Sequence, residues 1–451
     1  MTYEIGKIGA ATHAAPSTQQ EILRKTTLRI APLVLLLYFV CFLDRSNISY
    51  AALRMNADIG LSNTAFGFGA GIFFIGYVLF QIPSNIALTR FGPRRWIGTI
   101  AIGWGSIAAL MATVHGAQEF YVLRFILGAV EAGLFPGILF YLTLWFPLQQ
   151  RGRVTAMLVV AGSTSPLIGA PLSTWLMEFA DGHAGLHGWQ MMFIVESVPA
   201  ILLGIWCLFR MPNGPSDVSW LTGTEAAWLQ GTLDSESARV RSASGGTQNL
   251  RSAFSPLVIG LGVIFLGFVF GEYAIGFFLP LIIESLNSRY GAGLSIAQVG
   301  LLGAVPYLVA AVVIIAWGYQ SDRKNERIVH TMIPSLVGAV AIVCAVYACS
   351  LPAAIIAFSV TAAGVLSAQS VFWQIPAQCL TGVAAAAGLA LINAMGNLAG
   401  FLGPLIMGAF KDMQGSYDLG LWTLAGFLVL SALGTLIVGS VQRKEIKLRA
   451  E

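Results

Sequence analysis

Charge is what this 451-residue chain has least of: Asp, Glu, Lys and Arg make up 10% of it, against about 25% in soluble domains. With 56% hydrophobic residues and long apolar runs, that deficit excludes a soluble globular protein and places the chain in a bilayer. Cysteine and histidine are scarce too, at five each. Cys41, Cys207, Cys344, Cys349 and Cys379 lie in or beside apolar segments with no ligand-like spacing to histidine, so they read as small buried side chains. His13, His115, His183, His187 and His330 fall in predicted loops or near span ends. No metal and no cofactor is expected. The net charge of +4 is no nucleic-acid signature, because the basic residues sit in short loops. No phosphate loop or nucleophile–base pair stands out, so an enzyme is not expected. Nor is a cleavable signal peptide: the first residues are polar and the first apolar run is long enough to span.

What is present is hydrophobic length. Twelve apolar runs, near 28–51, 64–89, 96–114, 119–146, 153–178, 189–210, 256–285, 296–318, 328–349, 353–374, 384–410 and 419–440, each approach or exceed the roughly 20 residues a helix needs to cross. The fold expected is an all-α membrane protein of twelve transmembrane helices in two pseudo-symmetric six-helix bundles. The polar segment 211–255 divides the runs six and six. This gives a cytoplasmic tail (1–27), an N-terminal bundle (28–210), a cytoplasmic central loop (211–255), a C-terminal bundle (256–441) and a second tail (442–451). Within the loop, Thr222-Gly-Thr-Glu225 is a capping box opening a short interfacial helix, and Arg241–Thr247 reads as a flexible linker. With the N-terminus inside, twenty Lys and Arg fall on the cytoplasmic side, and only Arg54, Arg289 and Lys411 outside. That asymmetry puts both termini in the cytoplasm, in a cell inner membrane. Two halves around a loop imply a carrier with its site at mid-depth. Glycines at 162 and 169, and at 396, 400 and 403, suit close helix approach.

A few charges stay where charge is expensive. Asp44 and Arg45 are adjacent in the first run, and Arg124 and Glu131 share the fourth. An ionisable group at the bilayer centre costs ~2.5–3.5 kcal/mol on insertion scales, so each is a functional candidate. At 1.5 Å per residue, Asp44 lies ~24 Å past Leu28 and Arg124 lies ~7–8 Å in from Glu119 on the outer side. The two could share a level and pair in one state of a cycle. Glu131 stands two turns deeper than Arg124 on the same face, near mid-depth. A carboxyl in dry surroundings holds its proton, and a nearby arginine releases it. Glu131 and Asp44 are therefore the proton-carrying candidates. Arg45, with a planar fork suited to a carboxylate, is the anion-binding candidate, and Arg124 could do the same or only orient an acid. The competing reading is that these charges neutralise one another and only fix helix packing.

Several sequence patterns resemble the major facilitator superfamily, and within it the anion:cation symporter family. Gly318-Tyr-Gln-Ser-Asp322-Arg323-Lys324 follows the eighth run, and Gly76 to Pro83 runs on to Arg90-Phe-Gly92-Pro-Arg94-Arg95. Phe42-Leu-Asp44-Arg45-Ser-Asn47, Arg124 to Gly137 and Tyr141 to Pro147 also match. Thr89 stands where the general motif carries an acid, and Asn85 at its glycine. The likeness runs from about 28 to 440. It implies a proton-coupled importer of an organic anion (a sugar acid, hydroxy-dicarboxylate or aromatic carboxylate) working by alternating access, with acids at positions 44 and 131 carrying protons and Arg45 meeting the substrate. It also favours Tyr77 and Asn393 as substrate contacts. Trp373 is a further candidate at depth, with Gln81, Asn397, Gln374, Ser163 and Ser165 as weaker ones. Glu272, in Phe270-Gly-Glu272-Tyr, is unusual for the family and falls near the repeat position of Asp44; it would meet a substrate hydroxyl, add a proton site, or be a carboxyl held neutral or bonded to a neighbouring span. Glu196 reads as structural. The expected partners are a small organic anion, protons and lipid, with no nucleic acid, and the carrier is expected to be a monomer. An exchanger or efflux carrier on the same fold, or a non-transporting membrane sensor, are the alternatives.

Overall fold

In the computed structural model, residues 16–243, 255–379 and 382–450 are described. In chain order the helices are α1 (Pro16–Asp58), α2 (Asn63–Phe91), α3 (Pro93–Leu110), α4 (Ala117–Glu131), α5 (Leu134–Thr143), α6 (Leu148–Phe179), α7 (Gly188–Arg210), α8 (Gly223–Ala243), α9 (Pro256–Tyr290), α10 (Ile296–Lys324), α11 (Ile328–Val346), α12 (Leu351–Phe372), α13 (Gln374–Cys379), α14 (Gly382–Gln414) and α15 (Asp418–Ala450). Among the described residues, twelve helical stretches are long and apolar enough to cross a membrane, with α4–α5 and α12–α13 each forming one of them. Six precede α8 and six follow it, as the apolar runs predict.

Local chemistry sets the helix ends. Ser62, Ser255, Ser295 and Ser350 each accept a backbone N–H of the turn they open. Between α2 and α3 the chain reverses on one residue: Gly92 takes φ 79°, and Pro93 starts the next helix where its missing N–H costs nothing.

Two spans are broken where their apolar runs are continuous. The fourth parts at 132–133 and the tenth at 373, each just before a proline, Pro136 or Pro376. Those prolines cannot donate to the carbonyls of Ala132 and Phe372. Proline alone does not force a gap, since Pro83 and Pro280 lie inside unbroken helices. At 132–133 the glycine adds its own weak helix preference. The break follows Glu131 directly and so frees the backbone beside a charged residue.

Small residues let backbones meet. A side chain at Gly128 would collide with the Phe73 carbonyl, and one at Gly67 with the Pro404 carbonyl; at Gly400 it would come 2.7 Å from the Phe74 ring. Gly169 differs from expectation, because its nearest neighbour would be the Ser46 hydroxyl at an ordinary 3.6 Å.

The two halves meet along α2 with α14, α6 with α10, and α1 with α9. At the end of the bundle away from the termini they are joined by two matching devices. Asp412 of α14 accepts from the backbone N–H groups of Asn63 (3.1 Å) and Thr64 (2.7 Å) at the start of α2. Glu178 of α6 accepts from the Ser295 hydroxyl (3.0 Å) and the Ala297 N–H (2.9 Å) at the start of α10. Each carboxylate satisfies orphan donors and the positive end of a helix in the opposite half.

At the other end lies α8. The capping box forms: the Glu225 N–H reaches the Thr222 hydroxyl (3.3 Å), and the Thr222 N–H donates back to the Glu225 carboxylate (2.8 Å). The helix runs through Arg241, where a linker was expected; positions 244–247 of that linker lie outside the described residues. It extends because it has something to pack on. Leu221, Leu229 and Leu233 close over Ile22 of α1, which begins well before the apolar run. Lys25 donates to Glu225 at 2.8 Å, and that hydrogen bond holds the Glu225 carboxyl below the usual carboxylate range. Glu236 accepts the Leu148 N–H at the start of α6 (3.1 Å).

Candidate functional site

A 100° step between neighbours sends Asp44 and Arg45 to different sides of α1. Arg45 faces a cavity of about 70 Å³ between the halves. Its walls carry Arg45, Ser46 and Tyr50 from α1, Glu272 and Tyr273 from α9, and Tyr307 from α10; the rest is largely apolar.

The Arg45 guanidinium makes an ion pair with Glu131. Its other terminal nitrogen donates to the Tyr273 hydroxyl across the half-to-half boundary (3.4 Å). The rings of Phe42, Phe73 and Tyr77 lie 4.9, 5.1 and 5.5 Å from its central carbon, an arrangement that attracts a cation to the ring faces. Arg45 Nε is buried without a protein partner, so the guanidinium keeps donor capacity. Glu131 also accepts from the Cys41 thiol (3.1 Å). Cys41 is therefore more than the small apolar filler its surroundings suggest. Cys41 and Arg45 are four apart on one face of α1, and both turn to the same carboxylate.

Asp44 is buried on the opposite side, inside the N-terminal half. One of its oxygens accepts from the Trp104 indole of α3 (2.7 Å), and the other has no protein partner. Asn47, one turn on, donates to Glu196 of α7 (3.0 Å), which also accepts from Ser173 of α6 (2.7 Å). Glu196 thus ties three helices together.

Arg124 does not pair with Asp44 in this conformation. It is 1% exposed and spends its donors on the carbonyls of Gly69 (3.4 Å) and Ala70 (3.2 Å) in α2, with the Phe73 ring at 4.9 Å. A shared level was not enough, because each side chain finds a nearer partner on a neighbouring helix. Nor does Arg124 line the cavity.

Glu272 does line it, and accepts from the Gln369 amide of α12 at 2.9 Å. The Tyr77 ring lies against Arg45. Trp373 packs against Phe265 (4.7 Å between centroids), and the Asn393 carbonyl accepts from Asn397 (3.0 Å); neither residue lines the cavity. Ser165 donates to the Phe39 carbonyl (3.0 Å) and joins α6 to α1; the side chain of Ser163 lies outside the described ones. The residues that sequence reasoning missed are Cys41, Tyr50, Trp104, Tyr273, Tyr307 and Gln369. Gln369 carried a usable signal, being an amide in the middle of an apolar run. Tyr50 and Tyr307 resemble the many aromatics that only pack.

Among the described residues, twelve spans, six before α8 and six after it, joined across the halves at one end and holding a cavity lined by an arginine and a glutamate, have the arrangement of a membrane carrier. The Major Facilitator Superfamily profile matches residues 34–404, and the chain belongs to that superfamily. It is a multi-pass membrane transporter rather than an enzyme. It is 43% identical over 424 residues to an Agrobacterium vitis protein described as "Putative tartrate transporter", covering 93% of this chain and 95% of that one. It is 37% identical to "Putative metabolite transport protein NicT" of Pseudomonas putida, covering 90% and 92%. Among solved structures, a bacterial homologue of the human lysosomal transporter Spinster, inward-facing and occupied, superposes with a TM-score of 0.72 at 15% identity, over 95% of this chain and 98% of that one.

Proposed function

We propose that the protein imports an organic anion together with protons, by alternating access of the halves 28–210 and 256–441. The observation that carries this reading is the ion pair between Arg45, on the cavity wall, and the buried Glu131 behind it. Among the described residues Arg45 is the one cation lining that cavity, and it is already occupied by an acid. An incoming carboxylate must displace Glu131 from the guanidinium. A proton on Glu131 removes the competing charge, so the proton and the anion load together. Loss of the proton to the inside restores the pair and expels the anion. Asp44, buried without a cationic partner, is the second proton carrier. Arg124 holds α2 against α4 and adds positive potential near Glu131. The name of the Agrobacterium relative, a tartrate transporter, supports a small organic acid as cargo, and that of the Pseudomonas relative supports a small metabolite.

Orientation follows from the charge asymmetry of the loops: both termini lie in the cytoplasm of a cell inner membrane. The end joined by Asp412 and Glu178 then faces outside. The tails (1–27 and 442–451) and the loop 211–255 stay on the cytoplasmic side, and the working unit is a monomer. Uptake into proteoliposomes tests the reading. An inward proton gradient should drive accumulation of an organic acid and acidify the lumen. Counterflow with no response to the gradient would favour an exchanger instead.

A further inference from the structure

The cavity is lopsided in charge. Its N-terminal wall offers one guanidinium, and its C-terminal wall offers a carboxyl, Glu272. Glu272 makes no ion pair among the described residues, and its hydrogen-bond partner is the neutral amide of Gln369. Tyr50, Tyr273 and Tyr307 complete the polar lining. Arg124, the other buried guanidinium, is turned to the carbonyls of Gly69 and Ala70 and cannot serve the far wall in this arrangement. A ligand bound by its carboxylate at Arg45 therefore presents its distal end to a surface with no second cation, made of one carboxyl and tyrosine hydroxyls that both donate and accept.

We infer that Glu272, held by Gln369, is a specificity determinant: it selects organic acids whose distal end donates hydrogen bonds, and it rejects a second carboxylate there. The inference rests on the proposed anion transport and narrows its substrate class to hydroxylated monocarboxylates. Two facts of binding energetics support it. Like charges brought together in a site disfavour the wrong partner strongly. A site built to hydrogen-bond a substrate hydroxyl also discriminates well against an analogue that lacks it. It sets this chain apart from what the word tartrate in its relatives' names would suggest, since tartrate carries a carboxylate at both ends.

Matched acids on one carbon skeleton give the test. Threonate, 2,3-dihydroxybutanoate and tartrate differ only at the fourth carbon, which is an alcohol, a methyl or a carboxylate; galactonate and galactarate are a six-carbon pair. Affinity is measured at pH 7.5 by thermal shift and by competition for uptake. In the unaltered protein, the alcohol-ended acid of at least one length should bind roughly tenfold or more tighter than its dicarboxylate partner. Glu272→Gln should shrink that ratio, mainly by admitting the dicarboxylate, and Gln369→Leu should shrink it in the same direction. A dicarboxylate preference in the unaltered protein, or a ratio unmoved in a folded Glu272→Gln variant, overturns the inference. If acids bind and Arg45→Lys abolishes that binding while the ratio is inverted, only the Glu272 assignment falls. If no organic acid binds or moves at all, the transport reading falls and this inference falls with it.

Discussion

Replacing Glu131 by glutamine is the sharpest perturbation of the proposed cycle. The amide keeps the shape and one acceptor oxygen but cannot carry the charge that occupies Arg45. A unit charge pair at 4 Å is worth ~4 kcal/mol at an effective dielectric constant of 20, an upper figure for a half-to-half cavity with an open mouth. If a third of that ceases to oppose the incoming carboxylate, affinity rises about tenfold, since each 1.4 kcal/mol is a factor of ten. The variant should therefore bind anion at least about tenfold tighter than the unaltered protein at pH 8. Transport should separate from binding. Counterflow of labelled substrate persists, because the site still loads and empties on both sides. Accumulation driven by a proton gradient disappears, because the substrate no longer requires the proton. The guanidinium left without its carboxylate should lower thermal stability, and bound anion should restore more of it than in the unaltered protein. Gradient-driven accumulation at the unaltered level in Glu131→Gln would refute the scheme outright.

Three further outcomes follow from named contacts. Asp44→Asn should also abolish gradient-driven accumulation while sparing counterflow; full accumulation in that variant would leave Asp44 a structural partner of Trp104 alone. Asp412→Asn removes the charge that caps α2 from the opposite half, and a capping hydrogen bond at an exposed site is worth about 1 kcal/mol. The population should shift a fewfold toward opening at that end, read as faster labelling of a cysteine placed in the cavity from the outside, with Glu178→Gln additive to it; unchanged labelling in the double variant would remove the gate. Glu326 is partly buried, which alone would raise its carboxyl, but N–H donors of Val329 and His330 and the His330 ring outweigh that and hold it below the usual range. A depressed folded value means stabilisation that is present above the ordinary carboxylate range, about pH 4.3, and is lost as pH falls through the folded value. Glu326→Gln should therefore cost about 1 kcal/mol at neutral pH, with the difference in melting temperature vanishing in acid; a pH-independent difference would contradict the assignment.

The number of spans is legible in the sequence because membrane insertion depends on a sum over about 20 residues, which survives local irregularity. The breaks at 132–133 and 373 are hidden for the same reason: apolarity continues across them, and only Pro136 and Pro376 hint at the lost bonds. Rise per residue gives a residue's position along its helix, but azimuth and partner are not legible. Asp44 and Arg124 can be placed on one level from their positions, yet Asp44 turns to Trp104 and Arg124 to the carbonyls of α2. Glu272 shows the same limit from the other direction. Counting along α9 puts it at the repeat position of Asp44, and the residue after it, Tyr273, at that of Arg45. Tyr273 and Arg45 do meet across the boundary, as residues near a pseudo-twofold axis should. Glu272, however, opens onto the cavity, whereas Asp44 points into its own bundle. The two acids are equivalent in register and opposite in surroundings. In the proposed cycle that difference divides the labour: an acid buried in one half can exchange a proton without touching cargo, while an acid on the cavity wall must either be met by the cargo or repel it.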